Sequence, residues 1–179
     1  SDLSALITGL AFTPSDQVLL TGSEDGTFRM WDVASGHCIH EKYGHAVSIY
    51  AVTWSPDGTQ VADGSTDSLV TIYDLNGEPT QLPAGHSGYV TGIDWRPGNT
   101  PSEQWLASSE WNNLIRLWYP KARSSVRILK HPDNVSNRFY NVSWSPNGQL
   151  LAAATHDSGV LVWDVAADRL LWGGEPAPS

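Results

Sequence analysis

Two histidines in this chain are followed by the groups that proton chemistry needs. His45 precedes Asp63, Asp67 and Tyr73, and His86 precedes Ser108, Asn112 and Trp118. An imidazole between two carboxylates can work as a general acid and base. The same groups can instead form a static chain, in which an Asp after a strand accepts one imidazole N–H and the other ring nitrogen meets a hydroxyl or an indole. A satisfied chain of that kind fixes one arrangement and stiffens the backbone around it. No nucleophile accompanies either histidine, so the static reading is preferred and no catalytic residue is assigned. Two carboxylates favour a charged His45, which is expected to titrate above His86. None of the six histidines has metal-ligand spacing, and the single cysteine, Cys38, excludes an intrachain disulfide. No metal or cofactor is expected.

The elements that must position these groups are written as one phrase repeated four times, at 19–32, 61–74, 106–119 and 151–164. Its closing aromatics, Trp31, Tyr73, Trp118 and Trp163, stand 42, 45 and 45 residues apart. A period in the low forties ending in Trp-Asp marks a propeller blade of four strands. In the second copy Gly44-His45 opens a turn, 49–54 is a strand and Ser55-Pro56-Asp57-Gly58 is the next turn. Strands at 60–63 and 69–73 follow, and 79–82 is a short outer strand interrupted by Pro83, which an edge tolerates.

With its Gly-His openings, Ser-Pro-Asp-Gly turn and terminal Trp-Asp in constant order, the chain resembles the WD-repeat β-propeller family over nearly its whole length. The resemblance implies an all-β fold with four blades of four antiparallel strands around a central channel, serving as a platform for protein partners. It also implies that a His, a strand hydroxyl, a turn Asp and a Trp form a structural tetrad in each blade. The second repeat offers His45, Asp63, Asp67 and Tyr73; the third offers His86, Ser108, Asn112 and Trp118. The first has Thr21, Asp25 and Trp31, with Leu3 at the His position. The fourth has Asp157 and Trp163, with Ala153 replacing the hydroxyl and Val135 the His.

A single domain is expected over 1–172, with blades at 1–43, 44–84, 85–130 and 131–172, and 173–179 as a flexible tail. End repeats are commonly atypical, so the two without His are the expected closing blades. An open arc of four would expose an apolar flank at each end. Three ways to relieve that stay open: a two-fold dimer completing an eight-bladed ring, membership of a longer propeller, and a strained four-bladed closure.

The net charge of −9 argues against nucleic-acid binding. Residues 1–110 hold 14 acids and 3 bases, whereas 116–138 hold six bases against Asp133. No apolar run reaches the roughly 18 residues of a membrane span. The start, Ser1-Asp2-Leu3, has neither Met nor a basic segment and is not expected to be a signal peptide, so a cytoplasmic setting is expected.

On one rim, the family's usual contact positions correspond to Leu6, Thr8 and Glu24, then Ser48, Tyr50 and Thr66, then Tyr89, Thr91 and Trp111, then Arg138, Tyr140 and His156. Aromatics and Arg dominate interface energy, so Tyr50, Tyr89, Trp111, Arg138, Tyr140 and His156 are the partner-binding candidates. The lengthened loops are 98–103 and 131–137; Lys130 and Arg138 flank the second, which suits an acidic or phosphorylated peptide. The expected function is a non-catalytic protein-interaction scaffold presenting an aromatic rim. The alternatives are a hydrolase or lyase sited in the channel, and a purely structural oligomeric half-propeller.

Overall fold

The computed structural model describes residues 5–83, 85–98, 104–120, 124–130, 138–156 and 159–174. Its sixteen strands form four sheets, each an antiparallel meander in chain order. Sheet 1 holds β1 (Ile7–Phe12), β2 (Val18–Ser23), β3 (Thr27–Asp32) and β4 (Cys38–Tyr43). Sheet 2 holds β5 (Ile49–Trp54), β6 (Gln60–Ser65), β7 (Val70–Asp74) and β8 (Pro79–Gln81). Sheet 3 holds β9 (Val90–Trp95), β10 (Leu106–Glu110), β11 (Leu114–Tyr119) and β12 (Ser124–Lys130). Sheet 4 holds β13 (Phe139–Trp144), β14 (Leu150–Thr155), β15 (Val160–Asp164) and β16 (Arg169–Gly174). Gly173 and Gly174 thus belong to the last strand rather than to a tail. Residues 175–179 lie outside the described ones.

Local chemistry fixes where these strands turn. The Ser55 carbonyl accepts the Gly58 N–H at 2.9 Å, and Ser55 Oγ accepts the Gln60 N–H at 2.9 Å. Ser145 repeats both bonds with Gly148 (2.8 Å) and Leu150 (2.9 Å), and Thr13 does so with Asp16 (2.9 Å) and Val18 (3.1 Å). One hydroxyl per turn therefore closes the loop and starts the next strand in register.

That register sorts the side chains of each sheet onto two faces. In sheet 2, Val52, Asp63 and Thr71 share a row, as do Trp54, Val61 and Tyr73, and both rows lie on the face toward the preceding blade. We term this the leading face; the trailing face meets the following blade. Leu20 and Phe28 on the trailing face of sheet 1 close over Ile49, Val52, Trp54 and Tyr73. Ala62, Val70 and Ile72 close in the same way over Ile93, Trp95, Leu106 and Trp118. Ile115 and Leu117 close over Phe139, Trp144, Leu151 and Trp163. Each large apolar side chain buried in such a core contributes roughly 1.5–3 kcal/mol.

The inner strands stack in order, β1 on β5, β5 on β9 and β9 on β13. Glycine lets them approach: a Cβ at Gly64 would fall 2.5 Å from Val90 Cγ1, and one at Gly22 would fall 2.8 Å from Ile49 and Val52. Two of the three seams are also laced by threonine. Thr8 Oγ1 donates to the Ile49 carbonyl, and Thr91 Oγ1 donates to the Phe139 carbonyl at 2.6 Å. The same inner-strand position holds Tyr50 and Tyr140 in blades 2 and 4, and both rings are exposed.

Four blades with three cores leave two faces uncovered. Leu10 and Phe12 on the leading face of sheet 1 are exposed, as are Ala154 and Val160 on the trailing face of sheet 4. The structure is an arc, not the strained four-bladed closure.

Candidate functional site

The tetrads are held in place by turns at the ends of the second and third strands. His45 is buried, with Nδ1 at 2.7 Å from Asp67 Oδ2 and Nε2 at 2.9 Å from Asp63 Oδ1. Asp67 also accepts the Leu69 N–H at 3.0 Å, which holds the turn. Burial works against a charged imidazole, but the hydrogen bonds and charges of Asp63 and then Asp67 outweigh it and raise the His45 pKa to about 9. Burial and the nearby Asp63 carboxylate push the Tyr73 phenol far above its ordinary range, so it stays protonated.

In blade 3 the donor chain is continuous. The Trp118 indole donates to Ser108 Oγ at 2.7 Å, the Ser108 hydroxyl lies 2.6 Å from His86 Nε2, and His86 Nδ1 lies 3.0 Å from Glu110 Oε2. The carboxylate is Glu110 and not Asn112, which corrects the expectation from repeat alignment. Glu110 also accepts the N–H groups of Ser87 at 2.8 Å and Gly88 at 3.3 Å. Burial opposes its ionisation, but the bond from His86 and the backbone donors hold its pKa below the ordinary value.

Blade 1 compensates differently. Trp31 donates to Thr21 at 3.0 Å, and Asp25 caps its turn through the Thr27 N–H at 2.9 Å. Arg29 bridges Asp25 at 3.2 Å and Glu41 at 2.5 Å, supplying the cation that blade 2 takes from the His45 imidazole. In blade 4, Ala153, Leu161 and Trp163 join the hydrophobic core instead. Leu3, Val135 and Asp157 lie outside the described residues. Arg29 and Glu110 are thus tetrad members that the repeat pattern did not single out; the signal at Glu110 was a charged residue at the strand position where the other blades carry Ser23, Ser65 and Thr155, whereas the Arg29 position holds Thr71, Arg116 and Leu161 in the other blades.

These buried chains present the rim. Backbone bonds from Glu24 to Leu6 (3.0 Å), Thr66 to Ser48 (3.0 Å), Trp111 to Tyr89 (2.9 Å) and His156 to Arg138 (2.9 Å) set the two rim positions of every blade side by side. On blades 3 and 4 the side chains then join. The Arg138 guanidinium lies 4.6 Å from the centroid of Trp111. Trp111 meets Tyr140 edge-on at 5.6 Å, and Tyr140 meets His156 at 5.9 Å. Trp111 therefore packs across the seam rather than on Tyr89, whose ring is exposed. Four of the six expected contact residues form one stack. Tyr50 shares with Trp111 and Tyr140 the lining of a central cavity of about 670 Å³, to which the inner strands of all four sheets contribute.

The cavity holds one carboxylate among its described lining residues, Asp94. Burial pushes its pKa up to about 6, although it accepts the Trp144 N–H at 2.7 Å. A hydrolase or lyase would need several converging ionisable groups. Asp94 instead ties sheet 3 to sheet 4. Among the described residues no cluster of His, Cys, Asp and Glu is arranged to hold a metal, and no helix is long and apolar enough to cross a membrane. The described arginines of the basic stretch disperse: Arg116 donates to the Gly85 carbonyl and Arg127 to the Val165 carbonyl, while Arg138 alone of these three reaches the rim stack. Loop 131–137 lies outside the described residues.

A sequence model of the family described as WD domain, G-beta repeat, matches residues 3–32, 36–74, 77–119 and 123–164. The chain is similar to Protein tipD of Dictyostelium discoideum, 31% identical over 86% of the chain and 25% of that protein. It is 25% identical to protein transport protein sec13 of Emericella nidulans, over 89% of the chain and 59% of that protein. It is also 25% identical to nuclear distribution protein nudF of the same organism, over 89% of the chain and 39% of that protein. The chain thus spans between a quarter and three-fifths of the length of these relatives.

Proposed function

The chain belongs to the WD-repeat family, and we propose that it is a non-catalytic scaffold whose aromatic rim binds a protein or peptide. The observation that carries the reading is the stack of Arg138, Trp111, Tyr140 and His156 across blades 3 and 4. Arg, Trp and Tyr are the side chains that most often supply large binding energies, and here they are pre-assembled on turns fixed by buried polar chains. Little further ordering is needed when a partner arrives, which lowers the cost of association. The Arg138 guanidinium uses its face on Trp111 and keeps its N–H edge for a carboxylate or phosphate oxygen of the partner. Kinship with proteins named for protein transport and nuclear distribution supports work among protein partners rather than turnover of a small molecule.

The test is comparative capture from the host's extract with the wild type, Trp111→Ala and Arg138→Glu, followed by calorimetry on the partner retained. Trp111→Ala is expected to weaken that partner by about 2 kcal/mol, roughly 30-fold. A partner that binds both folded variants with wild-type affinity overturns the site.

A further inference from the structure

The seam between blades 1 and 2 carries a hollow of about 470 Å³ at its outer end, within the range of small-ligand sites. It opens between Lys42 and Tyr43 of β4 and the outer strands of blade 2, and Thr71 belongs to its lining. Register explains why it is there. The β7 position paired with Asp63 holds Thr71, and its counterparts in blades 1, 3 and 4 are Arg29, Arg116 and Leu161. Leu161 is 1% exposed and fills this place in the seam between blades 3 and 4. Arg116 fills it in the seam between blades 2 and 3 and donates to the Gly85 carbonyl. Blade 2 alone has a short side chain at the position, and the space stays open.

Around the hollow stand the acceptors that a guanidinium uses in the sister blades. In blade 1, Arg29 bridges the turn carboxylate Asp25 and the outer-strand Glu41 paired with it. Asp67 and Gln81 hold the same two places in blade 2, and both line the hollow. Gly44, the counterpart of the Gly85 whose carbonyl takes Arg116, lines it too. Blade 3 carries His86 and Arg116 together, so a guanidinium fits beside a tetrad imidazole. Blade 2 also has one more carboxylate, Asp63, where Thr21, Ser108 and Ala153 stand elsewhere. Asp63 is 0% exposed, and its Oδ2 has no hydrogen-bond partner among the described residues. That oxygen and the Tyr73 hydroxyl would fall 2.8 Å and 2.7 Å from a Cβ added at Gly44, so both stand against the Gly44 wall of the hollow. The Lys42 ammonium is engaged elsewhere: it lies 5.5 Å from the Tyr73 ring centroid, next to Gly77, and its charge acts on Asp74.

We propose that this hollow recognises an arginine side chain of a protein partner, whose guanidinium takes the place that Arg29 and Arg116 occupy in their own blades. A planar fork of five N–H donors suits acceptors spread over a turn and an outer strand, whereas an ammonium is a single point of charge. The contact goes beyond the rim: it lies in the seam of blades 1 and 2 and uses none of the stacked residues of blades 3 and 4.

The experiment is an NMR titration of the nitrogen-15-labelled 179-residue chain with N-acetyl-arginine amide. The lysine amide and the uncharged, isosteric citrulline amide are the controls. The arginine amide is expected to shift the backbone signals of Asp67, Leu69, Thr71 and Gln81 with a millimolar Kd, and each control to bind about ten-fold more weakly. Thr71→Arg and Thr71→Leu place in the hollow the residues that blades 3 and 4 carry there, so each is expected to keep a folded spectrum and lose the shifts. The leucine variant serves if the arginine one fails to fold. Gln81→Glu, which repeats Glu41 of blade 1, is expected to tighten binding about five-fold. Trp111→Ala leaves the titration unchanged, so the hollow and the rim can fail separately. The proposal is overturned if those four signals do not move, if either control binds as well as arginine, if both filled variants still bind, or if Gln81→Glu binds no tighter than wild type.

Discussion

Replacing Glu110 by Ala tests which carboxylate supports blade 3. Its Oε2 receives three donors: His86 Nδ1 at 3.0 Å, the Ser87 N–H at 2.8 Å and the Gly88 N–H at 3.3 Å. The His86 side chain is 1% exposed and Glu110 is fully buried, so water cannot replace the lost acceptor at the imidazole. A buried donor left unpaired costs about 1–3 kcal/mol. The backbone donors are only partly buried and recover some hydration, and the long Gly88 bond contributes least. The expected loss is therefore about 3 kcal/mol. For a domain of this size that lowers Tm by about 6–12 °C. Glu110→Gln keeps one acceptor oxygen in place and is expected to lose about half as much. Asn112→Ala removes an exposed side chain and should stay within about 0.5 kcal/mol of wild type. Urea titration of the four proteins reads all these differences. A loss under about 1 kcal/mol for Glu110→Ala, or an equal loss for Asn112→Ala, refutes the assignment. Because the Glu110 pKa is lowered on folding, its contribution is present above the ordinary 4.5 and fades as pH falls through the folded value. The gap between wild type and Glu110→Gln should narrow in acid.

His45 acts at the other end of the pH scale. Its pKa rises from 6.5 to about 9 on folding, so its stabilisation is complete below pH 6.5 and is lost as pH rises through about 9. Denaturation at pH 6 and pH 9.5 should show about 3 kcal/mol more loss in wild type than in His45→Asn, and equal slopes would remove the ion cluster. Gly64→Ala, ordinarily favourable in a strand, should instead cost about 1–3 kcal/mol, because its Cβ would fall 2.5 Å from the buried Val90. A thermal melt showing a gain would mean that blades 2 and 3 do not meet as closely as described.

The blades were legible because their signals are local and repeated. The turn hydroxyls of Ser55 and Ser145 and the closing aromatics each act within a few residues of their own position, so spacing alone located the strands. Tetrad membership was only partly legible, because it depends on reach across space. Glu110 stands two residues before the aligned Asn112, but its longer side chain arrives at the same imidazole nitrogen. Arg29 likewise supplies from a neighbouring strand the charge that a missing His would bring. The rim positions were legible from repeat register, but their stacking was not. Trp111 turns to Tyr140 of the next blade, a contact fixed by the packing of β9 on β13 and by nothing in either repeat alone.

The alternation of Thr8 and Thr91 with Tyr50 and Tyr140 divides the arc unequally. Blades 1 and 2 are stitched by one threonine, and blades 3 and 4 by the other. Between blades 2 and 3, the polar link among described side chains is the exposed pair Gln104 and Asp57 at 2.6 Å. Cooperative units in proteins follow such differences in local bonding. This arc is built of two-blade clasps, and on heating it is expected to open first between blades 2 and 3.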